Sequence, residues 1–247
     1  MEKPQALILD FDGLILDTET AHFQAWTEAY ATYGLTLPLE RWVLCVGTDW
    51  NAFNPYLDIE AKAGPDFDRA EFQSKKAGRA NDLIILLGPR PGIVEMLEEA
   101  RTAGLKLGVA SSSDRAWVEG HLSRLGLREY FSAVKTAGDV PKVKPDPALY
   151  LRCLEALGVS ASDAAAFEDS PNGIRAAKAA GIYTFAYPNG VTEKLDLSLA
   201  DRVLTHPKEW RMAVNGWEGQ AGPICAPHPD PLPQGERGND RKAIGHD

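Results

Sequence analysis

The chain has 247 residues, 44% of them hydrophobic and 25% charged, which suits a soluble globular protein with one sizeable core and an inserted subdomain. Its 35 acidic against 26 basic residues leave a net charge of −9, which argues against nucleic acid as a partner, because phosphate backbones need clustered Lys and Arg. No run approaches the roughly 18 apolar residues of a membrane helix, no signal-peptide pattern opens the chain, and Cys45, Cys153 and Cys225 form no CxxC pair, so a cytoplasmic protein with free thiols and no membrane partner is expected.

Residues 6–9 form a short apolar run ending in acid at Asp10, which reads as a buried strand with function at its carboxyl end. Phe23, Trp26 and Tyr30 recur at helical spacing over 20–30, and the stretches 38–45, 50–61 and 66–86 also read as helices. Strand-like runs are scarce there, so 18–87 reads as a helical insert. From residue 88 the pattern alternates: helix 92–103, strand 105–110, helix 114–125 capped by Ser113 or Asp114, a weaker strand at 131–136, helix 146–157, strand 163–167, helix 172–180 and strand 182–187. Asn172 and Gly173 read as turn and N-cap residues, and Asp17 as the holder of the turn into the insert. The alternation predicts an α/β fold, a doubly wound, mainly parallel Rossmann-like sheet, with a core of 1–17 and 88–215 and an inserted cap of 18–87. Residues 216–247 are crowded with Pro and Gly and read as a disordered tail.

In such sheets ligands bind beyond the carboxyl ends of the strands. Four strand ends offer Asp10 and Asp12, then Ser111, Ser112 and Ser113, then Lys144, then Glu168 and Asp169. Four crowded carboxylates repel, each pair at about 4 Å costing roughly 4 kcal/mol at an effective dielectric of 20. A cation must offset this, and an all-oxygen donor set points to a hard divalent ion, Mg2+. Metal, Lys144 and hydroxyl donors together suit phosphate. Asp10 then fits a carboxylate nucleophile. A turn at Gly13 lets Asp12 swing off the strand end to serve as acid and base.

At this point DFDGLILDTE (10–19) resembles motif one of the haloacid-dehalogenase-like hydrolases, VASSS (109–113) motif two, Lys144-Pro145 motif three and EDSPNGIRAAKAAG (168–181) motif four, while RPGIVEML (90–97) resembles the segment that re-enters the core after the cap. Four motifs in order at four strand ends make a specific signal. The resemblance implies Asp10 as nucleophile and metal ligand, and Asp12 as acid/base with its backbone carbonyl on the metal. Ser111, with backbone N–H groups near Gly13 and Ser112, would bind the phosphoryl group. Lys144 would pair with phosphate and Asp10. Asp169 would ligate Mg2+, with Glu168 as a direct or outer partner. An acid at Asp12 favours the phosphoryl branch over true dehalogenases.

DTETAHFQAW (17–26) is similar to the opening of β-phosphoglucomutase and related sugar phosphatases, including His22 and Trp26. His22 therefore has two readings, cap packing or a substrate contact at the hinge. Thr18 and Glu19 can face the substrate. Trp26, Trp42 and Trp50 read as cap core. The mutase carries a basic residue shortly after a cap glycine, and Gly47-Thr48-Asp49-Trp50 offers none; Lys75, Lys76 or Arg79 are the possible substitutes. The expectation is a Mg2+-dependent phosphatase acting on a small phosphorylated metabolite, a sugar phosphate or similar, as a monomer or weak homodimer. A phosphosugar mutase is the alternative, and a non-enzymatic phospho-receiver module a more distant one.

Overall fold

The computed structural model describes residues 4–46 and 51–211. Gly47–Trp50 of the cap, Cys225 and the Pro/Gly-rich tail lie outside the described residues. Strand β1 (Ala6–Leu9) runs parallel to β2 (Lys106–Ala110) and β4 (Ala164–Glu168); β3 (Ala133–Lys135) flanks β2, and β5 (Tyr183–Ala186) and β6 (Arg202–Val203) extend the other side. The spatial order is β3-β2-β1-β4-β5-β6, all parallel, so the winding reverses between β1 and β4. The period-2 alternation of strand side chains builds two cores. Leu7 and Leu9 of β1 pack with Met96 and Leu97 of α5 (Ile93–Thr102) and with Val118 and Leu122 of α6 (Arg115–Arg124). Ala6 and Ile8 face α7 (Ala148–Leu157) and α8 (Pro171–Ala179).

Between β1 and α5 the chain is helical: α1 (Thr18–Ala31), α2 (Leu39–Trp42), α3 (Pro55–Lys62) and α4 (Arg69–Ile85). They share an aromatic core of Trp26, Tyr30, Trp42, Phe53, Tyr56 and Phe72. Tyr30 on α1 donates to Pro55 O at 2.6 Å and so fastens α1 to the start of α3. Val191, from the loop after β5, is buried in this same cluster, so the sheet unit reaches into the cap core. Cys45 and Cys153 sit free in separate cores, where burial pushes each thiol up to about 12.

Several boundaries differ from expectation. The helix expected over 38–45 is the single turn α2. That expected from residue 50 starts at Pro55, where Asn54 caps Tyr56 N–H and proline's fixed φ suits the first helical position. Asp114, not Ser113, caps α6, accepting from Trp117 N–H at 2.8 Å. Ser170, not Asn172 or Gly173, caps α8 through Gly173 N–H at 3.1 Å. Asp17 caps α1. Strand β6 was not foreseen; two exposed edge residues give no apolar run. No helix among the described residues is long and apolar enough to cross a membrane.

Candidate active site

The acids gather beyond the carboxyl ends of β1 and β4, where the winding reverses. Asp10 follows β1 and Asp169 follows β4, which Glu168 terminates. One oxygen from each of Asp10, Glu168 and Asp169 lies within 4.8 Å of the others, and all three residues are buried. Lys144, from the loop before α7, donates through Nζ to Asp10 Oδ1 at 2.5 Å and to Glu168 Oε1 at 2.6 Å. Tyr150 of α7 donates to the same Glu168 oxygen at 2.6 Å. Asp169 N–H and the Ser170 hydroxyl reach Glu168 Oε2, each at 3.3 Å. Glu168 is thus filled with donors and acts as the counter-ion that holds Lys144 against Asp10.

The charge balance is unequal. Burial pushes the Asp10 carboxyl up to about 8, with Glu168 and Asp12 adding repulsion and Lys144 pulling the other way. Burial likewise raises Asp169 well above the carboxylate range, and Asp10, Glu168 and Glu19 add to it. Burial opposes the charged Lys144 amine, but Asp10 and Glu168 outweigh that and hold it above its usual value. One lysine therefore faces three buried acids. An all-oxygen donor set short of positive charge fits a hard divalent cation such as Mg2+. Asp10, with Lys144 on Oδ1, and Asp169, with Asn189 on Oδ2, each have a second oxygen that could hold it.

A cavity of about 280 Å³ opens over these groups, and Asp10, Asp12, Ser111, Ser112, Lys144 and Asp169 all line it. Glu19 lines it too, its carboxyl pushed up to about 7 by burial and by Asp12 and Asp17. Thr18 is buried and does not line it. Asp12 stands outside the three-acid cluster. Its carboxylate accepts from Ser113 Oγ at 2.6 Å and from Trp117 Nε1 at 2.9 Å.

Two of the expected site residues do not line this cavity. Gly13 does not line the cavity, and its N–H is committed to Leu16 O at 2.7 Å, closing the tight turn after Asp12. It serves the site by its missing side chain: at φ 80° a Cβ there would overlap the Asp169 carboxylate. His22 does not line the cavity either. It is half-buried on α1, where burial and the Lys76 ammonium keep its imidazole below the usual value, hence neutral near pH 7.

Sequence reading also missed residues that fix the loops. Arg90, buried in the linker from cap to core, donates to Gly13 O at 2.7 Å, Tyr187 O at 2.9 Å and Pro188 O at 2.6 Å. Asn189 Nδ2 donates to Gly13 O at 3.1 Å and to Asp169 Oδ2 at 2.9 Å, while its Oδ1 accepts from Val191 and Thr192 N–H. The same turn thus carries Asn189 to the acid cluster and Val191 to the cap core. An arginine between two prolines was the available signal for Arg90; Asn189 and Tyr150 left none.

Gly173 shows how tightly Glu168 is enclosed, since a Cβ at 173 would overlap its carboxylate. Gly173→Ala is expected to destabilise the fold by about 1–3 kcal/mol, the range for overpacking a filled interior. A fall in the urea midpoint at unchanged slope checks this; an unchanged midpoint refutes it.

The family model described as "Haloacid dehalogenase-like hydrolase" matches residues 7–187. The Bacillus subtilis (strain 168) protein named "Putative phosphatase YhcW" is 41% identical over 210 residues, spanning 85% of this chain and 95% of that protein. The "Fructose-1-phosphate phosphatase YqaB" of Escherichia coli (strain K12) is 32% identical over 183 residues, 73% of this chain and 95% of that one. The crystal structure of CbbY from Rhodobacter sphaeroides in complex with phosphate superposes with a TM-score of 0.67 at 28% identity, covering 87% of this chain and 100% of that one. With the parallel order β3-β2-β1-β4-β5-β6, the acids at its switch point and these matches, the chain belongs to the haloacid dehalogenase-like hydrolases.

Proposed function

We propose that this protein is a Mg2+-dependent phosphatase that hydrolyses a small phosphomonoester, a sugar phosphate or related metabolite, through a phosphoaspartate on Asp10. The observation that carries the reading is the Lys144–Asp10 contact of 2.5 Å at the base of a cavity rimmed by Ser111 and Ser112. Lys144 restrains Asp10 and offers charge to the incoming phosphoryl oxygens. Ser111 and Ser112 bring hydroxyls to the same group. Asp10 attacks phosphorus as the ester P–O bond breaks, and Asp12 gives its proton to the leaving oxygen. Asp12 then takes a proton from the water that cleaves the acyl phosphate, restoring Asp10 and releasing phosphate. The Asp10 and Asp169 carboxylates, with the Asp12 backbone carbonyl, would hold Mg2+, which supplies positive charge that lowers the repulsion between phosphate and the acids.

The helices between Asp17 and Gly88 act as a cap that closes over the cavity and selects the substrate. The names of the phosphatases to which the chain is similar support a sugar phosphate. A mutase would need a second phosphate site in the cap; of its three basic candidates, Lys75 and Arg79 are engaged with Glu71 and Glu28, and the Lys76 ammonium lies over the Trp26 and Tyr56 rings. Buried free thiols at Cys45 and Cys153 accord with a cytoplasmic setting. The test is phosphate release from 4-nitrophenyl phosphate and from a panel of sugar phosphates, with Asp10→Ala as the blank. Metal-dependent turnover is expected; activity that survives complete chelation contradicts the metal role. Conversion of glucose 1-phosphate to the 6-phosphate with a bisphosphate primer would favour the mutase.

A further inference from the structure

Asp12 lies three residues beyond the end of β1 at Leu9, just before the turn closed by Gly13 N–H on Leu16 O, and a carboxylate there has two free side-chain torsions. Donors on both of its oxygens remove that freedom: Ser113 Oγ on Oδ2 at 2.6 Å and Trp117 Nε1 on Oδ1 at 2.9 Å. The two are not equivalent. A serine hydroxyl can rotate, donate or accept, whereas an indole N–H only donates, from a rigid ring, and neither takes nor gives up the proton that Asp12 must carry.

The indole is itself held. Its ring meets His121, one turn further along α6, edge-on at 4.3 Å. His121 Nδ1 accepts from Arg124 Nε at 3.2 Å, and burial together with Arg124 keeps the imidazole below its usual value. Arg124 also donates to Ile85 O at 3.0 Å and Leu87 O at 2.9 Å, at the carboxyl end of cap helix α4. Trp117 therefore stands between Asp12 and side chains anchored where the cap rejoins the core.

We propose that Trp117 is a positioning residue for the acid–base step, its indole N–H aiming the Asp12 carboxyl at the leaving oxygen. The inference rests on the reading of Asp12 as the acid. In the step concerned the Asp10–phosphorus bond forms, the ester P–O bond breaks, and the Asp12 proton passes to the departing oxygen. A leaving group that is stable as an anion needs this proton little; one that is a poor anion needs it much.

Phenyl phosphate and 4-nitrophenyl phosphate are nearly the same size and differ in that need. Their kcat/KM values report only steps up to phosphoryl transfer, so later hydrolysis of the acyl phosphate does not intrude. Trp117→Phe is expected to lower kcat/KM for phenyl phosphate by about tenfold and for 4-nitrophenyl phosphate by less than about threefold, a partial loss of the 10²–10⁴-fold that a positioned acid supplies. Site-specific replacement of Trp117 by benzothienylalanine, which keeps the ring shape and removes only the N–H, should give the same selective loss and guards against misfolding of the phenylalanine variant. Equal losses on both esters, or no loss, would overturn the proposal by leaving Trp117 a packing role only. Asp12→Asn separates the two levels of inference. If it discriminates strongly against phenyl phosphate and the Trp117 variants do not, the Trp117 proposal alone falls. If it shows no discrimination, the reading of Asp12 as the acid falls, and the Trp117 proposal with it.

Discussion

Asp10→Asn is expected to lower kcat by on the order of 10⁴-fold or more, the scale seen when a covalent nucleophile is removed from an intact site. The substitution keeps shape and volume but replaces the attacking oxygen with an amide, so no phosphoaspartate can form. The pocket should survive, because Lys144 keeps its partner Glu168 at 2.6 Å and Glu168 keeps Tyr150 at 2.6 Å. One of the repelling acids also loses its charge, which relieves Asp169. The prediction is a folded protein with thermal stability equal to or above the parent, without turnover and without acid-stable label after a pulse of labelled substrate. Label retained on the Asp10→Asn variant would move the nucleophile elsewhere.

Lys144→Met should have the largest effect on stability. The Lys144 side chain is only 6% exposed, and its partners Asp10 and Glu168 are 9% and 0% exposed. Removing the cation leaves Asp10 and Glu168 without their ion-pair partner and only Arg90 acting on Asp169, and breaking a buried ion pair from one side costs about 3–5 kcal/mol. The loss depends on conditions in a stated direction. The orphaned acids relax by taking up protons, so the deficit shrinks as pH falls and grows as pH rises. A divalent cation restores positive charge, so added Mg2+ should narrow the gap between variant and parent. Urea unfolding of both proteins, in EDTA and in excess Mg2+, reads all of this. A variant as stable as the parent in EDTA at pH 8 would show that Lys144 is not the counter-charge of the cluster.

Both expectations come from one arrangement, in which the sheet forces like charges together and a single lysine offsets part of the repulsion. Asp10 and Asp169 occupy adjacent strand ends, because β1 and β4 pair in parallel register from Ala6 with Ala164 to Leu9 with Phe167. The backbone ladder fixes their proximity whatever their charge. A divalent metal can relieve the resulting repulsion, and burial, with that repulsion added to it, is why the carboxyls are pushed toward protonation when alone.

Much of this was legible in the chain itself, for a local reason. Alternating apolar runs and helical periodicity depend on neighbours within about four residues, so they announced β1, β2, β4 and β5 and the helices between them. Strand ends carry function in a doubly wound sheet, so the positions of Asp10, Ser111, Lys144, Glu168 and Asp169 followed from the pattern. What the sequence could not disclose depends on partners brought close only by folding. Arg90 meets Gly13 across 77 residues, Asn189 meets it across 176, and Trp117 meets Asp12 across 105. The enclosure of Glu168 by Gly173 and the burial of Val191 in the cap core are likewise matters of packing. The amino-acid order determined which groups stand at the rim; the tertiary structure alone decided which donors aim them, because a hydrogen bond requires about 3 Å between atoms that no local pattern along the chain records.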